Sequence, residues 1–155
     1  MKEMRRMRIV AAFAAVVMIM AGCGKKTVDF DISALATDLD INITYQDTLE
    51  PMGVEMAGMF LNLSSVNVTN AAIFEGSGAT AEEIIVLECA DEEEAKKAEQ
   101  VLKDRVSEQI ESFTDYVPAE LTKLNAAVIK VSGKYAVLSV SDDPEKAKKI
   151  IDKYL

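Results

Sequence analysis

The sequence predicts an α+β fold, a two-layer sandwich in ββαββα order, and three observations carry that prediction. Residues 71–75 and 82–89 read as strands separated by the breaker Gly76-Ser77-Gly78, consistent with an antiparallel pair. Residues 126–131 and 134–140 read as a second pair, joined by Ser132-Gly133, a turn short enough to force a hairpin. Each pair is followed by an amphipathic helical pattern. Two hairpins, each followed by a helix, make a four-stranded antiparallel sheet with both helices packed on one face. Short N-terminal helices precede it, and the core is expected over about residues 70–155 of a single globular unit at 30–155.

Residues 31–39 form the first of those helices, with Ile32, Leu35, Ala36 and Leu39 at helical spacing. Asp38, Asp40 and Asn42 then mimic the start of a calcium loop. The required sixth-position glycine is Ile43 and the twelfth-position glutamate is Leu49, so the motif fails. Pro51 can open a helix that places Met52, Met56 and Met59 on one face. Soft thioethers suggest copper(I), but no histidine or further methionine exists downstream to complete a site, and core packing is the expected role. Asp91 caps a long helix, with Glu94 in a variant of the capping box. Its buried stripe is Ala95, Ala98, Leu102, Val106, Ile110 and Phe113, while Glu92–Lys96, Glu93–Lys97 and Glu99–Lys103 pair on a solvated face. Pro118 makes the residue before it extended and ends this helix near Tyr116. Asp143 and Pro144 start the last helix, with Ala147, Ile150, Ile151 and Tyr154 inward.

The N-terminus predicts where the chain goes. Lys2, Arg5, Arg6 and Arg8 precede an uncharged apolar run of 13 residues, 9–21, followed by Gly22 and Cys23. That is the layout of a secretory signal, too short for the roughly 20 residues of a membrane-spanning helix. Met20-Ala21-Gly22-Cys23 resembles a bacterial lipobox, with Met in place of the usual Leu. Residues 1–22 are then a cleaved lipoprotein signal peptide, Cys23 is the lipid attachment site, and 23–29 is a tether. A two-chain lipid gives stable anchoring where one acyl chain does not. The chain carries a formal charge of -9. Removing residues 1–22 takes away a net +3, leaving -12 over 133 residues. Such a surface repels nucleic acid, so no DNA or RNA partner is expected. Lys25 and Lys26 alone favour anionic headgroups, if they are more than a soluble linker.

Catalytic chemistry has little to work with. Histidine is absent and no Ser-x-x-Lys spacing follows residue 22, which removes the usual activated nucleophiles. Glu82 with Glu83 and Asp142 with Asp143 are adjacent in sequence, and such neighbours point to opposite faces of a strand or cap a helix. No phosphate-cradling glycine loop occurs, and no metal or cofactor motif, so no cofactor is expected. Cys89 ends an alternating run with Ile85 and Leu87 and is expected to be buried. Tyr116, Pro118, Glu120 and Lys123 share the one connection that mixes an aromatic, a proline and both charges, which makes it the candidate recognition loop. The expected role is therefore a lipid-anchored binding or accessory protein on the extracytoplasmic face of the cell membrane, with an envelope protein as partner. A small solute-binding protein and an unrecognised hydrolase are the alternatives.

Residues 80–86 (Thr-Ala-Glu-Glu-Ile-Ile-Val), the long helix, then Tyr116-Val117-Pro118-Ala119-Glu120, Asn125-Ala126-Ala127-Val128 and Gly133-Lys134-Tyr135 are similar to a family of small bacterial lipoproteins built on domain of unknown function 4358. The similarity covers most of residues 50–155. It implies a surface lipoprotein, typical of Gram-positive bacteria, and brings no functional residues with it.

Overall fold

A computed structural model describes residues 28–155. The expected signal peptide, Cys23, Lys25 and Lys26 lie outside the described residues. Helix α1 (Ile32–Asn42) is capped by Asp31, whose side chain accepts from Ser33 N–H, and it buries Ile32, Leu35, Ala36 and Leu39 as its spacing dictates. Strand β1 (Glu50–Met52) and the four-residue helix α2 (Val54–Ala57) follow, and then strands β2 (Val68–Glu75) and β3 (Glu83–Cys89). The long helix α3 (Glu92–Thr114) leads through a 3-10 turn at Pro118–Glu120 into a short helix, α4 (Leu121–Asn125). Strands β4 (Val128–Ser132) and β5 (Tyr135–Val140) form the second hairpin, and α5 (Pro144–Tyr154) closes the fold.

The sheet has five antiparallel strands in the order β1-β2-β3-β5-β4, one more than the pattern suggested. The extra strand comes from residues 50–52, where a helix was expected. Pro51 fits an edge position, because a sheet edge asks for no inward N–H from it, and the helix is deferred to Val54. That shift moves the methionines out of register. Met56 and Met59 are 60% and 86% exposed, so core packing is not their role, and only Met52 packs against the core.

The two-layer arrangement is also replaced. On one face of the sheet Ile85, Leu87, Cys89, Ala136 and Leu138 pack against Ala95, Ala98, Leu102 and Phe113 of α3. On the other, Ile84, Val86, Tyr135 and Val137 pack against α1 and against Ala147, Ile150 and Ile151 of α5. The sheet is therefore a central layer with helices on both faces. The physical reason stands in the strands themselves. β3 and β5 are buried at nearly every position, with apolar residues at consecutive sites, the pattern of strands covered twice. The core accordingly begins at Ile32 rather than near residue 70.

Local chemistry explains the joints. The second hairpin turns on Gly133-Lys134, one residue later than expected, with Gly133 at φ 54° in a two-residue loop that requires positive φ. Asp91 Oδ1 accepts from the N–H groups of Glu93 and Glu94, both at 2.9 Å. Glu94 does not return to Asp91 as a capping box would. Its carboxylate accepts from Asn67 N–H at 2.7 Å and pairs with Lys97 at 2.6 Å, because the strand entering β2 brings an unpaired N–H to the helix start. Glu92–Lys96 and Glu99–Lys103 pair as spaced. Asp91→Ala should lower stability by about 1 kcal/mol, read as a shift in the urea midpoint, while Asp91→Asn keeps most of it.

Candidate functional site

The two ends of the sheet differ in what they carry. At one end Asp29, the last residue of the expected tether, and Phe30 dock on the second hairpin. Tyr135 Oη donates to Asp29 Oδ1 at 2.9 Å, and the Phe30 and Tyr135 rings lie 4.3 Å apart. Asp29 is thus part of the folded body rather than free tether. Cys89 N–H donates to Lys134 O beside the same turn, and Ser132 Oγ donates to the C-terminal Leu155 O. The opposite end, some 20 Å away along β3 at about 3.3 Å per residue, gathers the connections at residues 44–48, 76–82 and 114–123.

Two ion clusters are built into that far end. In the first, Lys123 is 3% exposed and its Nζ lies 3.1 Å from Glu82 Oε1 and 3.0 Å from Glu120 Oε2. Glu82 also accepts from the N–H groups of Gln46 and Asp47, and Glu120 accepts from Ala81 N–H at 2.8 Å. Burial alone would lower the Lys123 pKa, but its bonds to Glu120 and Glu82 outweigh that and raise it, so the ammonium form is held. The cluster ties three connections together. Gln46 extends it by donating to the exposed Asp142 at 2.7 Å. Asp47 in turn accepts from Ser77 N–H and Oγ, and it sits so close to Gly76 that a Cβ there would meet its carboxylate at 2.9 Å.

In the second cluster Arg105 bridges two carboxylates. Its Nη2 donates to Glu75 Oε1 at 2.8 Å and to Glu83 Oε2 at 2.9 Å, and its Nε reaches Glu83 Oε2 at 3.0 Å. The Phe60 ring covers the guanidinium at 4.3 Å. Burial, and then the neighbouring Glu83, push the Glu75 carboxyl up to about 8. A groove of about 350 Å³ runs past Arg105 between Phe60, Asn62 and α3, and another of about 440 Å³ lies between β1, Met56 and Glu75.

The candidate recognition loop is divided by this geometry. Tyr116 is 68% exposed, resting on Phe113 with ring centroids 6.0 Å apart, and Pro118 is exposed at the start of its 3-10 turn. Glu120 and Lys123 are interior, so their charges hold the fold and are not offered to a partner. Adjacent Glu82 and Glu83 enter different clusters, as alternation requires. Asp143 caps α5 through Lys146 N–H. Cys89 is buried and unpaired, its thiol pushed up to about 11 by burial and by nearby acidic groups. Among the described residues no group of three or more acidic or thiol side chains is arranged to hold a metal ion.

The sequence reading missed Arg105 and Glu75. Arg105 is the only arginine after residue 8 and lies on the helix stripe between Leu102 and Gln109, a charged residue on a buried face and hence a sign of a buried partner.

A family model described as a domain of unknown function, DUF4358, matches residues 43–141. The chain belongs to this family. The matched span runs from the residue after α1 to the residue after β5, so the DUF4358 domain holds the whole sheet, α3 and the charged cores of both clusters, while all of α1 and α5 stand outside it. No curated protein and no solved structure matches the chain.

Proposed function

We propose that this DUF4358 protein is a lipid-anchored, extracytoplasmic binding or accessory domain that presents the far end of its sheet to a cell-envelope protein. The observation that carries the proposal is the opposition of the two ends. The chain enters the folded body beside the β4–β5 turn, close behind Cys23, so an anchor there holds that end toward the membrane. The exposed Tyr116 and Pro118 then face away from it. Tyrosine adds contact area with few rotatable bonds, which suits recognition. The buried carboxylates give catalysis little support, because Lys123 and Arg105 already engage them.

The test is crosslinking of the full-length protein in its native membrane, with mass spectrometry of what is captured. Cys23→Ala should leave the membrane fraction and lose the captured envelope protein. Tyr116→Ala should stay anchored, change stability by less than about 0.5 kcal/mol and lose the same protein. Membrane retention of Cys23→Ala would overturn the anchor. Undiminished capture by Tyr116→Ala would overturn the assignment of the binding end.

A further inference from the structure

We propose that Glu75 and Glu83 together bind a single proton at neutral pH, and that its loss in alkaline medium loosens the segment covering them, residues 50–62. This is independent of the membrane anchor and of any partner.

The geometry requires something between the two carboxyl groups. One guanidinium serves both, so two carboxylates against one cation leave an excess negative charge in the interior. Arg105 uses Glu75 Oε1 and Glu83 Oε2. The remaining oxygens, Glu75 Oε2 and Glu83 Oε1, are buried with no hydrogen-bond partner, and the Glu83 side chain has no exposed surface. Buried carboxylate oxygens without donors are strongly unfavourable. A proton taken from water onto Glu75 removes the excess charge and supplies the missing donor, as an O–H that Glu83 accepts; on release it returns to water. Two carboxyl groups sharing one proton is the normal outcome when like charges are held this close.

The surroundings do not offer a substitute. From β1, Glu50 stands opposite Glu75 in register, exposed and of the same charge. From β5, the uncharged Val140 stands opposite Glu83. α3 contributes Arg105, with Asp104 and Glu108 along the adjoining groove, and its Lys97 is engaged by Glu94. The connection at 44–48 contributes Asp47, which is occupied by Ser77. The segment after α2 brings the Phe60 ring, and the uncharged Asn62 lines the adjoining groove.

The covering segment is held at few points. Ala57 and Leu61 anchor it in the core, but the three-residue edge strand and four-residue helix around them leave Val54, Met56 and Met59 exposed, and short, half-exposed elements open before the core does. It touches the cluster twice, through the pairing of Glu50 with Glu75 and through Phe60 on Arg105.

The direction of the pH effect follows from the raised Glu75 pKa. The folded chain binds this proton more tightly than the unfolded chain does, so the stabilisation is complete below the ordinary carboxylate value of 4.5 and is lost as pH climbs to about 8. Few other side chains titrate there. The chain has no histidine, and the Cys89 thiol is pushed up to about 11.

The experiment is urea unfolding of the full-length chain from pH about 5.5 to about 9.5. The wild-type midpoint should fall through this range and level off at its upper end. Glu75→Gln, whose amide donates to Glu83 at every pH, should show no fall and should exceed the wild type in alkali. A constant wild-type midpoint, or a Glu75→Gln profile as steep as the wild type, would overturn the proposal. If Glu75→Gln does not fold, infrared spectroscopy of the wild type decides. A protonated-carboxyl C=O band should be present at neutral pH and vanish in alkali, and its absence at neutral pH overturns the shared proton. In alkali, amides of residues 50–62 should exchange faster in the wild type than in Glu75→Gln at the same pH; equal rates would overturn the loosening.

Discussion

Lys123→Met should lower the stability of the fold by about 3–5 kcal/mol, the usual loss when one partner of a buried ion pair is removed. Methionine keeps most of the lysine stem, so packing around a side chain that is 3% exposed changes little, and what disappears is the charge. Glu82 and Glu120 would then face each other across the site without their common cation. Their other donors soften the effect: Glu82 keeps the N–H groups of Gln46 and Asp47, and Glu120 keeps that of Ala81, which argues for the lower part of the range. Against a total stability of 5–15 kcal/mol for a typical domain, this loss is large enough to unfold a marginal protein. Adding Glu82→Gln and Glu120→Gln should recover part of it, because the repulsion goes with the charges. Urea unfolding at constant m-value measures both. A loss below about 1 kcal/mol would mean that the cluster is wetter than its geometry implies, since exposed pairs contribute that little.

The same cluster marks where sequence reasoning stopped. Glu120 and Lys123 looked like surface charges on a connection, because nothing local distinguishes a solvated i, i+3 pair from one that closes over Glu82, about 40 positions away in the chain. Local signals were legible: Asp91 and Asp143 cap the helices they precede, and Ile32, Leu35, Ala36 and Leu39 face inward as spaced, although Asp31, read as the first helical residue, is the cap of its helix. Cys89 fell on the buried face that alternation gave it. Arrangements set by tertiary competition were not legible. Residues 50–52 became an edge strand because the free side of β2 was available to pair with. Glu94 bonded Asn67 instead of its own helix start for the same kind of reason. The number of layers was written in β3 as an unbroken apolar run, but periodicity alone does not say whether such a run is covered once or twice.

That last point yields the second large effect. Ile84→Ala and Ile85→Ala should each lower stability by about 2–5 kcal/mol, with neither substitution mild. Both residues have no exposed surface, and they point in opposite directions. Ile85 packs in the layer of Ala98, Leu102 and Phe113, while Ile84 packs in the layer of Leu35, Leu39 and Ile150. A sheet with helices on one face would leave one of the two near water, where truncation usually changes stability by less than about 0.5 kcal/mol. Because their side chains lie in separate layers, the double substitution should come close to the sum of the singles, apart from any shared backbone adjustment. Unequal effects, with one residue nearly neutral, would mean that one helix layer contributes little to holding the sheet. Comparable losses on the Ile84 side would show that α1 and α5, both outside the DUF4358 match, stabilise the fold as much as α3 does from within it.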